Sequence, residues 1–275
     1  MEYRAAMAVE SGTWHHGLMA RWWAEFVAAE PEELDYFRGA IRKYGEPALD
    51  LGCGTGRILI PMLADGLDVD GSDVSADMIA GARALASKNG YSPALSVEPM
   101  HELALPRKYK TIYMCGSWGI GGRRDHDREA LRRAHEHLES GGALVIANHE
   151  LPYAGGDEER WARWLPGHRE GIPKEWPAEG ERRTTAAGDE IELLGRLLKL
   201  DPLAQMYTSQ VRLRLWADGQ IVKEEEYSLS ESLYFAQEVL LLLDEAGFRE
   251  VAIEGGFTGQ PATPDDGMLA FVARK

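Results

Sequence analysis

A short buried strand that runs into glycines at alternate positions constrains this chain more than any other feature. In Asp50-Leu51-Gly52-Cys53-Gly54-Thr55-Gly56 the glycines stand between an apolar strand over 48–51 and a helical pattern over 57–64. Glycine there lets the backbone turn sharply and approach a ligand with no Cβ in the way. The helix that follows offers free N–H groups and the positive end of its dipole to a polar or anionic group. A second strand over 67–72 leads to Asp73, positioned to accept hydrogen bonds from a ribose diol. The order strand, glycine turn, helix, strand, acid predicts a nucleoside-binding crevice. Arg57 stands where the dehydrogenase pattern G-x-G-x-x-G requires its third glycine, which speaks against a nicotinamide cofactor.

The same alternation continues. A helix is expected over 75–87 with Ser75 as N-cap, then strands over 94–97 and 111–115 and an amphipathic helix over 125–138. Gly141-Gly142 closes that helix, and a continuously apolar strand covers 143–147, as in a parallel sheet buried on both faces. A last helix over 232–246 ends at Gly247, before strands over 251–254 and 268–273. Repeated strand–helix units imply an α/β fold, a doubly wound, mostly parallel seven-stranded sheet with helices on both faces.

Two segments fall outside this core. Over 14–44, Leu18, Trp22, Trp23 and Phe26, then Leu34, Phe37 and Ile41, recur at helical spacing, and Pro31 opens the second helix. Residues 1–45 are read as an N-terminal helical lid. Residues 151–230 begin rich in proline and tryptophan and continue as strand-like runs over 190–200, 206–216 and 221–229. They are read as an inserted three-stranded antiparallel meander that caps the pocket and could also pair two subunits as a homodimer. The core is then 46–150 with 231–275.

Charge narrows the partners. With 45 acidic against 30 basic residues, a net charge of -15, the chain repels a phosphate backbone, so nucleic acid is excluded in favour of a small molecule. Two cysteines in no CxxC pair make no disulfide scaffold and point to a reduced, cytoplasmic protein. The longest aliphatic run, over 239–243, is too short for a membrane span. His15 and His16 lack a third ligand, so no metal is expected.

The stretches Leu49-Asp50-Leu51-Gly52-Cys53-Gly54-Thr55-Gly56-Arg57 and Asp68-Val69-Asp70-Gly71-Ser72-Asp73-Val74-Ser75-Ala76-Asp77-Met78 closely resemble motifs I and II of class I S-adenosylmethionine-dependent methyltransferases. Leu138-Glu139-Ser140-Gly141-Gly142 is similar to the family's turn before the fifth strand, with Ser140 in place of proline. The resemblance implies methyl transfer from S-adenosylmethionine, leaving S-adenosylhomocysteine, to N or O of a small-molecule acceptor. It implies that Gly52, Cys53 and Gly54 meet the methionine moiety and that Asp50 holds the loop or meets the amino group. It gives Asp73 the ribose hydroxyls, Val74 and Met78 the adenine, and Met100, His101 and Cys115 further cofactor contacts. Family members often carry an aspartate after the third strand; Glu98-Pro99-Met100-His101 occupies that place here.

On the acceptor side, His149 and Glu150 follow the fifth strand directly and are the candidates for a proton-removing base; their alternative is to satisfy loop backbone groups. Trp118, Tyr153 and Trp22 are the candidate substrate contacts, with ordinary packing as the alternative. A non-catalytic cofactor-binding module is the second functional reading and a nicotinamide-dependent oxidoreductase the third.

Overall fold

The apolar strands expected to be covered on both faces build a central sheet. In chain order the strands are β1 (Ala48–Leu51), β2 (Val69–Asp73), β3 (Leu95–Val97), β4 (Tyr109–Cys115), β5 (Leu138–Glu150), β6 (Glu181–Thr184), β7 (Glu190–Asp201), β8 (Met206–Ala217), β9 (Gln220–Ser232), β10 (Glu250–Gly255) and β11 (Met268–Arg274). The computed structural model describes residues 15–151 and 162–275, and the substrate contact expected of Tyr153 lies outside the described residues. Seven strands form one sheet in the order β3-β2-β1-β4-β5-β11-β10. All neighbours are parallel except β11, which runs antiparallel to both β5 and β10. The chain reverses its direction of travel across the sheet at β1, between β2 and β4. Such a switch point opens a crevice at the carboxyl ends of the strands.

Period-two alternation explains the two covered faces. Tyr113 and Val145 point to a layer made by α2 (Pro31–Tyr44) and α3 (Leu59–Ala64), where Phe37, Ile41, Leu59 and Met62 are buried. Their strand neighbours Ile112, Met114, Leu144 and Ile146 point the other way, onto Leu131 of α5 (Arg124–His137) and Val239 and Leu243 of α6 (Ala236–Glu245). Between β2 and β3, α4 (Ala76–Lys88) starts from Ser75, whose hydroxyl accepts the Met78 N–H at 3.2 Å as the N-cap reading requires.

The inserted region forms a second, antiparallel sheet of four strands, in the order β6-β7-β8-β9. The expectation of three missed β6, because Glu-Arg-Arg-Thr is exposed throughout and carries no apolar alternation. β9 also runs to Ser232, where it pairs with Met206, so α6 starts at Ala236 instead of at residue 232. One face of this sheet is apolar. Ile191, Val211, Leu213 and Tyr227 pack against Leu18, Met19 and Trp22 of α1 (Gly17–Phe26). The other face is charged, with Arg212–Glu226 at 2.5 Å and Arg214–Glu224 at 2.7 Å. Among the described residues, no helix is long and apolar enough to cross a membrane.

A polar cluster lies buried beneath β1. Arg57 pairs with Glu33 at 2.6 Å and reaches the Cys115 thiol at 3.3 Å. Burial pushes the Asp50 carboxyl up to about 7, against the opposing pull of Arg57 and the Tyr113 hydroxyl. This has a pH signature. An acid held protonated in the fold weakens the fold as pH rises from its ordinary 3.8 toward 7, because the unfolded chain releases its proton first. Asp50→Asn carries no such proton. Its melting temperature relative to wild type is expected to climb between pH 4 and 7 and to level off above; a difference flat with pH would mean that Asp50 is ionised in the fold. In the α1 interface, Trp22→Ala is expected to cost roughly 3–5 kcal/mol, with faster amide exchange in α1 and β8. Unchanged exchange there would show that the helix does not depend on this contact.

Candidate active site

A cleft of about 510 Å³ opens where the sheet order reverses, and its lining divides into two halves. The first half comes from the ends of β1 and β2. Gly52 and Cys53 both donate their N–H to the Ser72 carbonyl, at 2.7 and 3.0 Å, which folds the glycine turn onto the neighbouring strand. Gly52 has φ +85°, and a Cβ there would stand 2.5 Å from the Ser117 Cβ and 2.7 Å from the Met100 methyl, so only glycine fits. Gly54, at φ +55°, has nothing within 4 Å on that side and leaves the backbone open.

Asp73 fixes this turn. One carboxylate oxygen accepts the Gly54 N–H at 2.9 Å, and the other accepts the Ser75 N–H at 2.8 Å. Burial raises its carboxyl above the usual range, and these two backbone donors pull it back. A carboxylate has about four acceptor positions, so two remain for a diol. Val74, next to it, is an apolar side chain 47% exposed. With Met78, Pro99, Met100 and His101 it walls this end of the cleft. The open backbone at Gly54, the remaining acceptor capacity of Asp73 and an apolar slot beside it fit a nucleoside with an amino-acid tail.

The second half is built from the loop after β4, α5, the end of β5 and the inserted sheet. Gly121 donates to the Ser230 carbonyl and Ser232 donates to the Gly119 carbonyl, both at 2.8 Å, so the loop is stitched to β9. This brings Leu229 and Glu231 of the insertion to the cleft, opposite Trp118, Asp127 and Asn148. α1 closes a side: the His15 carbonyl accepts the Ser75 hydroxyl, and the Gly17 N–H reaches Asp77 at 2.8 Å. Burial, then neighbouring His16, lowers the His15 imidazole to about 4, so it borders the cleft uncharged at neutral pH.

The structure brings Gly52, Cys53, Gly54, Asp73, Val74, Met78, Met100, His101, Cys115 and Trp118 together around this one cleft. Asp50 is buried beneath the turn instead of facing it. Glu98 also lies away from the cleft, its carboxylate accepting the Ala104 N–H at 2.9 Å. Burial raises the Cys115 thiol to about 12, so it presents a neutral S–H. Trp22 packs under the inserted sheet, and it is Trp23 that reaches the cleft. His149 does not line the cleft; its Nε2 lies 3.0 Å from the Tyr234 carbonyl and its ring packs against Phe271. The cause is a bulge: two β5 residues, Ala147 and Asn148, oppose the single Ala270 of β11, and Asn148 takes φ +57°. The extra residue shifts the alternation and puts Asn148 in the cleft instead. Glu150 closes β5 in register with Met268. Asp127, Asn148 and Glu231 were not singled out by sequence reasoning. Only the Asn after an apolar strand gave any signal, and it pointed to its neighbours.

Comparison with known proteins agrees with this geometry. Residues 48–142 match a family model described as a methyltransferase domain. No curated protein matches the chain in sequence. Among solved structures, an S-adenosylmethionine-dependent methyltransferase from Clostridium acetobutylicum superposes with a TM-score of 0.69 at 13% identity, over 94% of this chain and 97% of that one. The CcbJ methyltransferase from Streptomyces caelestis gives 0.69 at 20% identity, over 93% and 95%. The sugar N-methyltransferase KedS8 from a Streptoalloteichus species gives 0.67 at 18% identity, over 98% and 99%. Residues 48–142 therefore resemble a methyltransferase domain, and the chain built around them has the fold of the class I methyltransferases.

Proposed function

We propose that this protein transfers a methyl group from S-adenosylmethionine to a nitrogen or oxygen of a small molecule and releases S-adenosylhomocysteine. The observation that carries the reading is the Asp73 carboxylate, clamped by Gly54 and Ser75 with acceptor capacity facing a cleft at the carboxyl ends of β1 and β2. In this reading Asp73 takes the ribose hydroxyls, Val74 and Met78 flank the adenine with Met100 and His101 beside it, and Gly52, Cys53 and Gly54 face the methionine end. Asp50 supports the turn from beneath, and Cys115 presents its thiol as a neutral wall.

The bound cofactor supplies an already activated methyl on a sulfonium, so alignment is the main demand on the protein. The second half of the cleft supplies that alignment. Trp118, only 8% exposed, offers a flat, fixed surface, and α1 and the inserted sheet border the cleft beside it. A small-molecule acceptor fits a cleft bordered by α1, the loop after β4 and β9. His149 does not line the cleft, so in this reading it acts on the acceptor only indirectly, through the Tyr234 main chain beside its Nε2. The resemblance in fold to a sugar N-methyltransferase is compatible with such an acceptor.

Calorimetric titration with S-adenosylhomocysteine is expected to give micromolar binding, with NAD giving none. Asp73→Ala should weaken that binding at least tenfold while leaving the circular dichroism spectrum unchanged; equal affinity would remove the ribose assignment. Gly52→Ala, which drives a methyl into Ser117 and Met100, should abolish measurable binding. Retained affinity there would mean that the turn can open without cost. Release of S-adenosylhomocysteine on incubation with amines, phenols and sugars separates an enzyme from a binding module.

A further inference from the structure

Asp127 lies in the first turn of α5, borders the acceptor half of the cleft and is 4% exposed. It sits in a closed unit of three side chains. The Tyr234 hydroxyl donates to the Asp127 carboxylate at 2.8 Å, and the Trp118 indole N–H donates to the Asp127 main-chain carbonyl at 3.0 Å. The Trp118 and Tyr234 rings stack with centroids 4.6 Å apart, and the Arg124 guanidinium lies 4.3 Å from the Tyr234 ring. These contacts leave the carboxylate one position. Among the described residues it has no ion-pair partner. Burial pushes it up to about 6, opposed by the hydroxyls of Ser232 and Tyr234 and by the charges of Arg124 and His126. Above that value it is a buried anion with one side-chain donor, the Tyr234 hydroxyl, and no ion pair among the described residues, an arrangement that costs free energy until a cation or a strong donor joins it.

The rest of this half has matching chemistry. Glu231 brings a second carboxylate from β9, and Trp118 presents an aromatic ring. Carboxylate and indole together recognise an ammonium, through charge-assisted hydrogen bonds and attraction to the ring face. Among the described residues, the arginines that line the cleft are engaged elsewhere: Arg123 pairs with Asp125 at 2.9 Å and Arg57 with Glu33. His101 and His126 stack on each other, centroids 3.6 Å apart, and burial followed by His126 lowers the His101 imidazole. An anionic acceptor would meet two carboxylates here.

We propose that Asp127 anchors the methyl acceptor and that the acceptor is an amine, whose N–H donates to the Asp127 carboxylate above Trp118. The inference rests on the methyl-transfer reading of the cleft and assigns Asp127 to binding and orientation. Once the bound nitrogen has given one proton to solvent and is the neutral amine, a carboxylate that still accepts one N–H leaves the lone pair of that nitrogen directed away from the carboxylate, toward the rest of the cleft. The adjoining Tyr234 is a positioning residue that acts through Asp127.

The test uses the protein saturated with S-adenosylhomocysteine and three matched probe pairs: benzylamine with benzyl alcohol, trans-2-aminocyclohexanol with trans-cyclohexane-1,2-diol, and glucosamine with glucose. At least one amine is expected to bind tenfold or more tightly than its alcohol by calorimetry. Asp127→Asn is expected to remove that preference with S-adenosylhomocysteine affinity unchanged. Tyr234→Phe is expected to reduce it by a smaller factor. No amine preference in any pair, or a preference that survives in Asp127→Asn, overturns the proposal. If Asp127→Asn does not fold, the wild-type preference and its decrease in Tyr234→Phe decide. Failure of the wild type to bind S-adenosylhomocysteine overturns the methyl-transfer reading itself, a separate result from the amine comparison.

Discussion

The carboxylate of Asp73 holds two chain segments that would otherwise move independently: the glycine turn after β1, through Gly54, and the start of α4, through Ser75. Hydrogen bonds from main-chain N–H groups to a charged acceptor are strong, and here they are also sheltered. They add to the main-chain bonds from Gly52 and Cys53 to Ser72 and to the Ser75 cap, and tie the two segments to one another. Ser75 extends the arrangement by capping α4 and by giving its hydroxyl hydrogen to the His15 carbonyl. A single acid therefore organises the turn, the following helix and, at one remove, the segment that closes over the cleft.

A chain of such contacts continues into the insertion. The Leu18 N–H donates to Glu225 of β9 at 2.7 Å, and the Glu225 carboxylate also accepts the Tyr227 hydroxyl hydrogen. On the opposite side β9 pairs with the loop after β4. The inserted sheet thus grips the core twice, once through α1 and once through the acceptor loop. The two halves of the cleft remain separate in origin, because the cofactor half comes from strand ends of the central sheet and the other half depends on these added elements. This division suits a fold that must keep one ligand and vary the other.

The parts legible in the sequence were those fixed by local chemistry. The glycine turn, Asp73 and the Ser75 cap could be placed because each needs a particular residue type at a particular backbone position. The seven-stranded sheet, though not its strand order, followed from continuous apolar runs such as 143–147. What stayed hidden depended on contacts far apart in the chain. β6 is polar and forms because β7 offers it an edge. The bulge that exchanges Asn148 for His149 at the cleft depends on the register of β11, more than a hundred residues away. Trp22 and Trp23 differ by one helical position, and periodicity alone could not say which faces the sheet and which the cleft. Asp127 looked like one more acid on a charged helix until Tyr234 and Trp118 folded against it.

The stitching of Gly119 and Gly121 to β9 bears on how specificity in this protein can change. A substitution in the acceptor loop shifts the strand it is bonded to, and a change in β9 shifts the loop. Their effects on acceptor choice should be non-additive, as for any two groups that share partners. An evolutionary path to a new acceptor therefore runs through paired changes in the insertion and in the loop, and it reaches the glycine turn as well, because Ser117 of that loop donates to the Leu51 carbonyl at 2.9 Å and lies against Gly52.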